Sequence, residues 1–433
     1  MTPLPLLTAF VLATLIPVVT IAPALGAGGS VLRTVLAAVA LVAVVRDHSK
    51  LQPSQAVLVF TWVTLVAAMT VGSPDLGQGI VRAINWLMFM PLMFLAAHPG
   101  HWAIVTRSAL FTCWVHLLAV GAQMLGLLGG TWGGLLTSGA DYDPSRNNWL
   151  TRYTGLLYNP NDLGLTLALG VVVALMLASE RGSSRAWFAI PSAALFTAGI
   201  ILTGSRGAIL ALVLGIVVLL IFLPTLHRLL VISLAIVTTI ALTTREGETR
   251  LVLSSITDIF TGADRSASTR QSLWSTYLDR ADNLVIGNGF GATVRAGSVD
   301  SAAADSAIAT VDNSLLKLLL EGGGLSVMIF LALLAVIYLP LFALRNGPHR
   351  YAAGAILAGV AMIGFRSVSV DLFDINPWNA VIWLFAGLAT GLGAQARAAS
   401  QRAIDATEGH TPDPSSNSTS ETAQPSSLAV NSP

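Results

Sequence analysis

Charge and cysteine are both scarce in this chain. Only 10% of its 433 residues are charged, whereas a soluble domain typically has about 25%. Cys113 is the only cysteine, which excludes an intrachain disulfide and a metal site built from several cysteines. The net charge of +1 gives no reason to expect a nucleic-acid partner. Apolar sequence is abundant instead, with 54% hydrophobic residues and a mean hydropathy of +0.73.

The apolar residues form long runs that recur along the chain. Runs of about 18 or more such residues are typical of membrane-spanning helices. The runs do not alternate between polar and apolar residues, which favours helices over strands. The sequence therefore predicts an all-α, polytopic transmembrane bundle of about twelve spans. The predicted spans are 4–24, 29–45, 54–72, 79–97, 102–128, 162–179, 187–203, 207–223, 228–243, 314–343, 351–369 and 377–395.

The distribution of Lys and Arg predicts how the bundle is oriented. With the N-terminus in the cytoplasm, most basic residues of the short loops fall on the cytoplasmic side, as the positive-inside rule requires. Both termini are then cytoplasmic, and one large loop, 244–311, is extracytoplasmic. Residues 1–403 form the predicted membrane domain. Residues 404–433 are rich in Ser, Thr, Pro, Asn and Gln and form a predicted disordered cytoplasmic tail.

Two short polar motifs precede spans at the predicted outer face. The first contains Arg152 and the sequence Asn159-Pro-Asn161-Asp162, in which Asn161 or Asp162 is expected to cap the sixth span. The second, Thr-Gly-Ser-Arg-Gly, contains Arg206. An arginine at a membrane boundary is costly unless it snorkels or meets an anion, and the glycines beside it allow close approach of a ligand. The motif favours an anion site, with a snorkelling anchor as the alternative.

Two further motifs lie in and after the large loop. Ser-Thr-Arg270 opens a predicted short helix that carries Trp274 on the same side as the arginine. The glycine run Gly287–Gly291 follows without the strand and helix that a dinucleotide site requires. Asp312 and Asn313 then precede the tenth span. Asp312 is interpreted either as the helix N-cap or as a carboxylate that takes a proton from a hydroxyl.

In this order and spacing, the motifs resemble those of the O-antigen ligase and polysaccharide polymerase superfamily, which are bacterial membrane glycosyltransferases. The resemblance covers roughly residues 150–345 and rests on the combination of motifs together with the large loop. The matching elements are Gly155-Leu-Leu-Tyr-Asn-Pro-Asn161, Thr203-Gly-Ser-Arg-Gly207, Ser268-Thr-Arg270 with Trp274, Gly287–Gly291, and Asp312-Asn313.

The resemblance implies a C-type-like glycosyltransferase in the cytoplasmic membrane that works at its outer face. The implied donor is a glycan on a polyprenyl diphosphate, the acceptor is a glycan or a lipid, and neither a metal nor another cofactor is needed. Arg206 and Arg270 correspond to residues associated with the donor diphosphate. Asp312 stands where the family usually has a histidine and is the candidate catalytic residue. The supporting residues are Arg152, Asn159, Asn161, Trp274 and Asn313.

Two other functions stay open. A secondary transporter or flippase for lipid-linked sugars would have a similar number of spans, but would place charges and broken helices near the bilayer midplane. The middles of the predicted spans carry little charge, with Arg33, Arg82 and Arg107 near span ends. The aspartate at position 312 in place of a histidine also leaves open a non-catalytic assembly protein.

Overall fold

The fold is known from a computed structural model, in which every regular element among the described residues is a helix. This confirms the predicted all-α class. The ninth predicted span, 228–243, and most of the predicted loop 244–311 lie outside the described residues. The structure describes residues 6–21, 27–46, 53–98, 100–128, 153–157, 159–180, 186–224, 274–275, 278–279, 283–291, 313–371 and 376–408.

Twelve α-helices are described, and every other predicted span falls on one of them or on an adjacent pair. They are α1 (Leu6–Ile21), α2 (Ala27–Arg46), α3 (Pro53–Val71), α4 (Leu76–Leu87), α5 (Pro91–Ala96), α6 (His101–Met124), α7 (Pro160–Ser179), α8 (Ala186–Leu202), α9 (Arg206–Phe222), α10 (Ser314–Tyr338), α11 (Arg350–Ser367) and α12 (Asn376–Glu408). A 3-10 helix, Leu339–Asn346, continues α10.

Five helical stretches of the described chain are long and apolar enough to cross a membrane. They are Leu76–Ala96, His101–Met124, Pro160–Ser179, Ser314–Asn346 and Trp378–Gln401. Four further apolar helices are shorter. The chain is thus a membrane protein, while the total of about twelve spans stays a prediction.

Two of the predicted spans are interrupted. The fourth is divided into α4 and α5, because Pro91 occupies the first turn of α5 and cannot continue the hydrogen bonds of α4. The tenth is kinked at Gly323, whose φ of 73° is not helical. Only glycine adopts such a φ readily, so the glycine at position 323 is what allows the kink.

Helices α7, α9 and α11 form the centre of the bundle, and α7 is almost entirely buried. Helix α11 runs antiparallel to the other two: Gly354 near its start lies against Met176 near the end of α7, and Arg366 near its end lies against Gly207 of α9. Small residues allow such close approach, as at Gly170 of α7, which lies against Cys113 and Phe196.

The glycine segment, residues 283–291, crosses from the kink of α10 to the end of α3. The N–H of Gly289 donates to the carbonyl of Glu321 (2.8 Å), and the N–H of Phe290 donates to the carbonyl of Met69 (2.9 Å). Gly289 has a φ of 78°, and a Cβ there would overlap the backbone of Gly72. The segment therefore joins two helices through their backbones, and its glycines serve packing.

Phe290 fixes the glycine segment to a cluster of aromatic side chains. It is fully buried, and its ring meets that of Trp86 edge-on with centroids 5.0 Å apart. Trp62 stacks on Trp86 at 5.7 Å, and the indole N–H of Trp383 donates to the carbonyl of Trp86 (3.3 Å). Aromatic pairs of this geometry add to the energy of burial.

The chain divides into two compact units, Met1–Gly393 and Ala394–Pro433. All contacts described above and all those of the candidate site belong to the first unit. In the second unit, α12 extends to Glu408, and residues 409–433 lie outside the described residues.

Gly289→Ala is expected to destabilise the protein, because the substitution strains a left-handed residue and displaces Gly72. The strain alone is about 1–2 kcal/mol, which for 433 residues lowers the midpoint of thermal unfolding by about 1–2 °C, and the displacement of Gly72 adds to this fall. Size-exclusion chromatography of the heated, detergent-solubilised protein measures it. Gly364→Ala is the matched control, since Gly364 is helical and has open space around its Cβ position. An equal midpoint for the two variants would contradict this role of Gly289.

Candidate functional site

Three of the motifs begin helices at one end of the bundle. Helix α7 begins at Pro160, α9 at Arg206 and α10 at Ser314. The end of α11 joins them, because Arg366 lies against Gly207 of α9. We call this end of the bundle the motif end. Each helix start has unsatisfied N–H groups and partial positive charge, so the motif end favours anions.

The cap of α7 is Asn159 and not Asn161 or Asp162, so the sequence prediction for this cap is wrong. The Oδ1 atom of Asn159 accepts a hydrogen bond from the N–H of Asn161 (2.8 Å), and Pro160 is the first helical residue. Proline needs no N–H bond at that position, and it forces the preceding residue into an extended conformation. Pro160 therefore starts α7 and makes Asn159 its cap.

The cap of α10 is Asn313, which also corrects the N-cap interpretation of Asp312. The Oδ1 atom of Asn313 accepts hydrogen bonds from the N–H groups of Leu315 and Leu316, both at 3.0 Å. Asn313 is buried, so its role is to hold the helix start. Asp312 itself lies outside the described residues.

Arg206 is the first residue of α9 and is half-buried at the motif end. Ser205, which is fully buried, caps the helix by accepting a hydrogen bond from the N–H of Ala208 (3.3 Å). Gly164 of α7 lies against Ser205 and Ala208, which brings the starts of α7 and α9 together. The structure thus places Arg206 beside two helix N-termini.

A buried acid and a buried base join α7, α11 and α12 beneath Arg206. Asp162 of α7 accepts a hydrogen bond from the indole N–H of Trp378 (3.1 Å) and is attracted by the guanidinium of Arg366. Arg366 also donates to the hydroxyl of Ser369 (3.1 Å). A Cβ at Gly207 would overlap the guanidinium, so the glycine after Arg206 makes room for Arg366.

A buried ion pair joins the start of α10 to the turn after α11. Lys317 Nζ lies 2.6 Å from Asp371 Oδ2, and the Lys317 side chain is 2% exposed. One turn earlier on α10, the hydroxyl of Ser314 donates to the carbonyl of Val370 (2.8 Å). These two bonds fix the α10 start to the turn that follows Arg366.

A second buried ion pair lies one turn further along α10. Glu321 is fully buried and bonds Arg82 of α4, and its Oε1 atom also accepts from the N–H of Gly291 (3.3 Å). Glu321 follows Lys317 by four residues, which are neighbours on a helix. The start of α10 therefore carries a buried base and, one turn later, a buried acid, and each is paired with a charge on another segment.

The Gly-Leu-Leu part of the first motif is held on α6. The Gln123 side chain accepts from the N–H of Gly155 and donates to its carbonyl, both at 3.0 Å. The N–H of Leu156 donates to Nδ1 of His116 (3.3 Å). This segment precedes Asn159 and fixes the approach to α7.

The large predicted loop contributes one described candidate, Trp274. It is half-buried and packs on the apolar cluster of Leu316 and Leu320 at the start of α10. Arg152 and Arg270 lie outside the described residues. The structure thus brings Trp274, Asn313, Arg206 and the Asn159 turn to one end of the bundle.

Sequence reasoning missed the buried charges that join these elements. Lys317 and Glu321 interrupt an apolar run, and a charge in a membrane span is costly unless it is paired. That signal was available, but it identifies no partner. The residues whose buried contacts were missed are Arg82, Asp162, Lys317, Glu321, Arg366 and Asp371.

Residues 191–331 match the family model described as O-Antigen ligase. The match spans most of α8, all of α9, the glycine segment and two thirds of α10, and it includes Arg206. No curated protein matches the chain. The match supports a membrane enzyme of polysaccharide biosynthesis with a lipid-linked glycan donor and an acceptor in the membrane.

Asp371→Asn should destabilise the protein strongly, because it leaves the Lys317 ammonium buried without its carboxylate. Breaking a buried pair costs about 3–5 kcal/mol, so the yield of folded, monodisperse protein should fall sharply. The double variant Lys317→Met, Asp371→Leu should recover much of that yield, since it removes both charges. A single variant as stable as the wild type would show that the pair contributes little.

Proposed function

We propose that the chain is a member of the O-antigen ligase superfamily and that it transfers a glycan from a polyprenyl diphosphate to an acceptor hydroxyl at the outer face of the cytoplasmic membrane. The reaction would polymerise or ligate a cell-surface polysaccharide. The observation that carries this proposal is the convergence of three helix starts around Arg206 at one end of a membrane bundle.

The proposed diphosphate site is formed by the helix starts together with Arg206 and Arg270. Helix N-termini bind phosphate through their N–H groups, and guanidinium groups match pairs of phosphate oxygens. Arg366 supports the site from below by its contact with Gly207. As the bond to the sugar breaks, these groups stabilise the negative charge on the diphosphate, and one such donor is typically worth about 2.7–4 kcal/mol.

Asp312 is the proposed general base. In the sequence it directly precedes Asn313, the cap of α10 at the motif end. The acceptor oxygen attacks the anomeric carbon while the bond to the diphosphate oxygen breaks. The diphosphate keeps the bonding electrons, and the hydroxyl proton passes to Asp312. A positioned base contributes about 10²–10⁴ in rate.

The proposed orientation places the motif end outside and both termini in the cytoplasm. Arg345 and Arg350 lie at the opposite end of the bundle, where α7 and α9 end and α11 begins. Basic residues in short loops favour the cytoplasmic side, which supports this orientation. The polyprenyl tail would then lie among membrane lipids with its diphosphate at the outer face.

A lipid-linked sugar flippase is the second candidate. The pair of Arg82 and Glu321 beside the kink at Gly323 favours it, because transporters combine buried charge with broken helices. The paired charges of α10 nevertheless lie near its start, at positions 317 and 321 of a helix that begins at 314. A transporter would place them near the middle of the span. Purified protein in liposomes with a lipid-linked glycan separates the two functions: an enzyme consumes the donor, whereas a flippase only moves it.

Replacing Arg206 by Lys should impair transfer severely, because an ammonium group does not reproduce the two-pronged guanidinium bond to phosphate. Donor consumption by purified protein should fall about 10²–10³-fold. Arg345→Lys, at an exposed site at the opposite end, is the matched control and should keep full activity. Near-normal turnover by the folded Arg206→Lys protein would exclude the proposed diphosphate contact.

Asp312→Asn should cut transfer about a hundredfold or more, because it removes the proton acceptor. Since Asn313 and not Asp312 caps α10, a loss of this size cannot come from a lost cap. Consumption of the lipid-linked donor measures it, with Asp282→Asn as the control in the same loop. If the Asp312→Asn protein is fully active, the base lies elsewhere, and Asp305 is the next candidate.

A further inference from the structure

A large cleft opens between α6 and α8 at the end of the bundle opposite the motif end. Its volume is about 590 Å³, within the ~300–1,000 Å³ of typical ligand sites. Five of the residues that line it are aromatic: Trp102, Phe111 and Trp114 from α6, and Trp187 and Phe188 from α8. The residues of α7 that reach it are Leu177 and Glu180, at the end of that helix.

The walls of the cleft expose apolar surface outward. Trp187 and Phe111 are 77% and 60% exposed, and the rings of Trp114 and Phe188 contact each other with centroids 5.9 Å apart. In a membrane protein such exposed apolar surface suits contact with acyl chains. The volume and the apolar lining of the cleft therefore suit a chain of methylene groups packed against the rings.

One basic side chain lines the cleft. Arg107 is the seventh residue of α6, and its side chain is exposed. Among the described residues none forms a hydrogen bond or an ion pair with its guanidinium. Glu180 also reaches the cleft but already has another interaction. An exposed guanidinium above an apolar slot complements a ligand with an anionic head and an apolar tail.

The position of the cleft separates it from the proposed diphosphate site. Helix α7 has 20 residues and spans about 30 Å, with the motif end at Pro160 and the cleft at Glu180. This is the thickness of the hydrocarbon core of a bilayer. A diphosphate at the motif end cannot reach Arg107, so the anion at the cleft belongs to a lipid of the other leaflet. Arg345 and Arg350 lie at the same end of the bundle but do not line the cleft.

We propose that the cleft between α6 and α8 binds an anionic phospholipid, with one acyl chain packed against the aromatic rings and the phosphate on Arg107. Basic pockets between membrane helices hold anionic headgroups through charge, while the acyl chain contributes by burial. This site is independent of glycosyl transfer and takes a different molecule.

Native mass spectrometry of the purified chain with equimolar phosphatidylglycerol and phosphatidylethanolamine tests the proposal. The wild type should retain phosphatidylglycerol preferentially. Arg107→Gln should lower the ratio of bound phosphatidylglycerol to phosphatidylethanolamine about fivefold, the effect of one basic residue near an anionic headgroup. Arg345→Gln, a basic residue at the same end outside the cleft, should leave the ratio unchanged. An unchanged ratio for Arg107→Gln, or an equal fall for Arg345→Gln, would overturn the proposal.

A second variant tests the acyl-chain position. Ala103→Trp fills the cleft from an exposed position of α6 and should lower retention of both lipids alike, without changing folding. Full retention by Ala103→Trp would place the lipid elsewhere. Addition of a long-chain polyprenyl phosphate tests the competing occupant. If the polyprenyl phosphate binds the wild type more tightly than phosphatidylglycerol does, a lower concentration of it occupies the site. In that case the cleft serves the glycan carrier and the proposal is wrong.

Discussion

Glu321 is fully buried inside a membrane protein. A charged carboxylate in that position requires an opposite charge and hydrogen-bond donors close by. Arg82 supplies the charge and the N–H of Gly291 supplies a donor. Glu321 also stands two residues before the kink at Gly323. One side chain thereby fixes α4, the glycine segment and the bend of α10 relative to one another. Phe290, which is next to Gly291 in the glycine segment, packs against Trp86 in the tryptophan cluster.

The start of α10 connects this constraint to the candidate site. Asn313 caps the helix, Lys317 binds the turn after α11, and Glu321 binds α4. The contact between Arg366 and Gly207 continues the connection from α11 to α9. Catalytic groups work best when supporting contacts hold them within a fraction of an ångström. The paired charges that stabilise the bundle are thus the same contacts that position its helix starts.

Local sequence signals differ in how far they reach. Apolar runs predicted the positions of α7, α8 and α9 closely, because burial in lipid alone decides which residues become helical. The cap of α7 was predicted at Asn161 or Asp162, two or three residues too late, because the sequence shows several cap-forming residues around Pro160 and only the geometry of proline selects Asn159. The glycine segment gave a recognisable pattern, but its partners, α3 and α10, are distant in sequence.

The sequence by itself determined the membrane class, the helix positions and the motifs that the O-antigen ligase match includes, since each depends on composition or spacing within a short stretch. The tertiary structure alone decided which charges meet. Arg82 and Glu321 are 239 residues apart, and Lys317 and Asp371 are 54 apart. An isolated charge inside a membrane is strongly unfavourable, so buried charges are paired. Their partners come together only when helices that are distant in sequence pack against each other. The assembly of Arg206, Arg366 and three helix starts into one site depends on that packing.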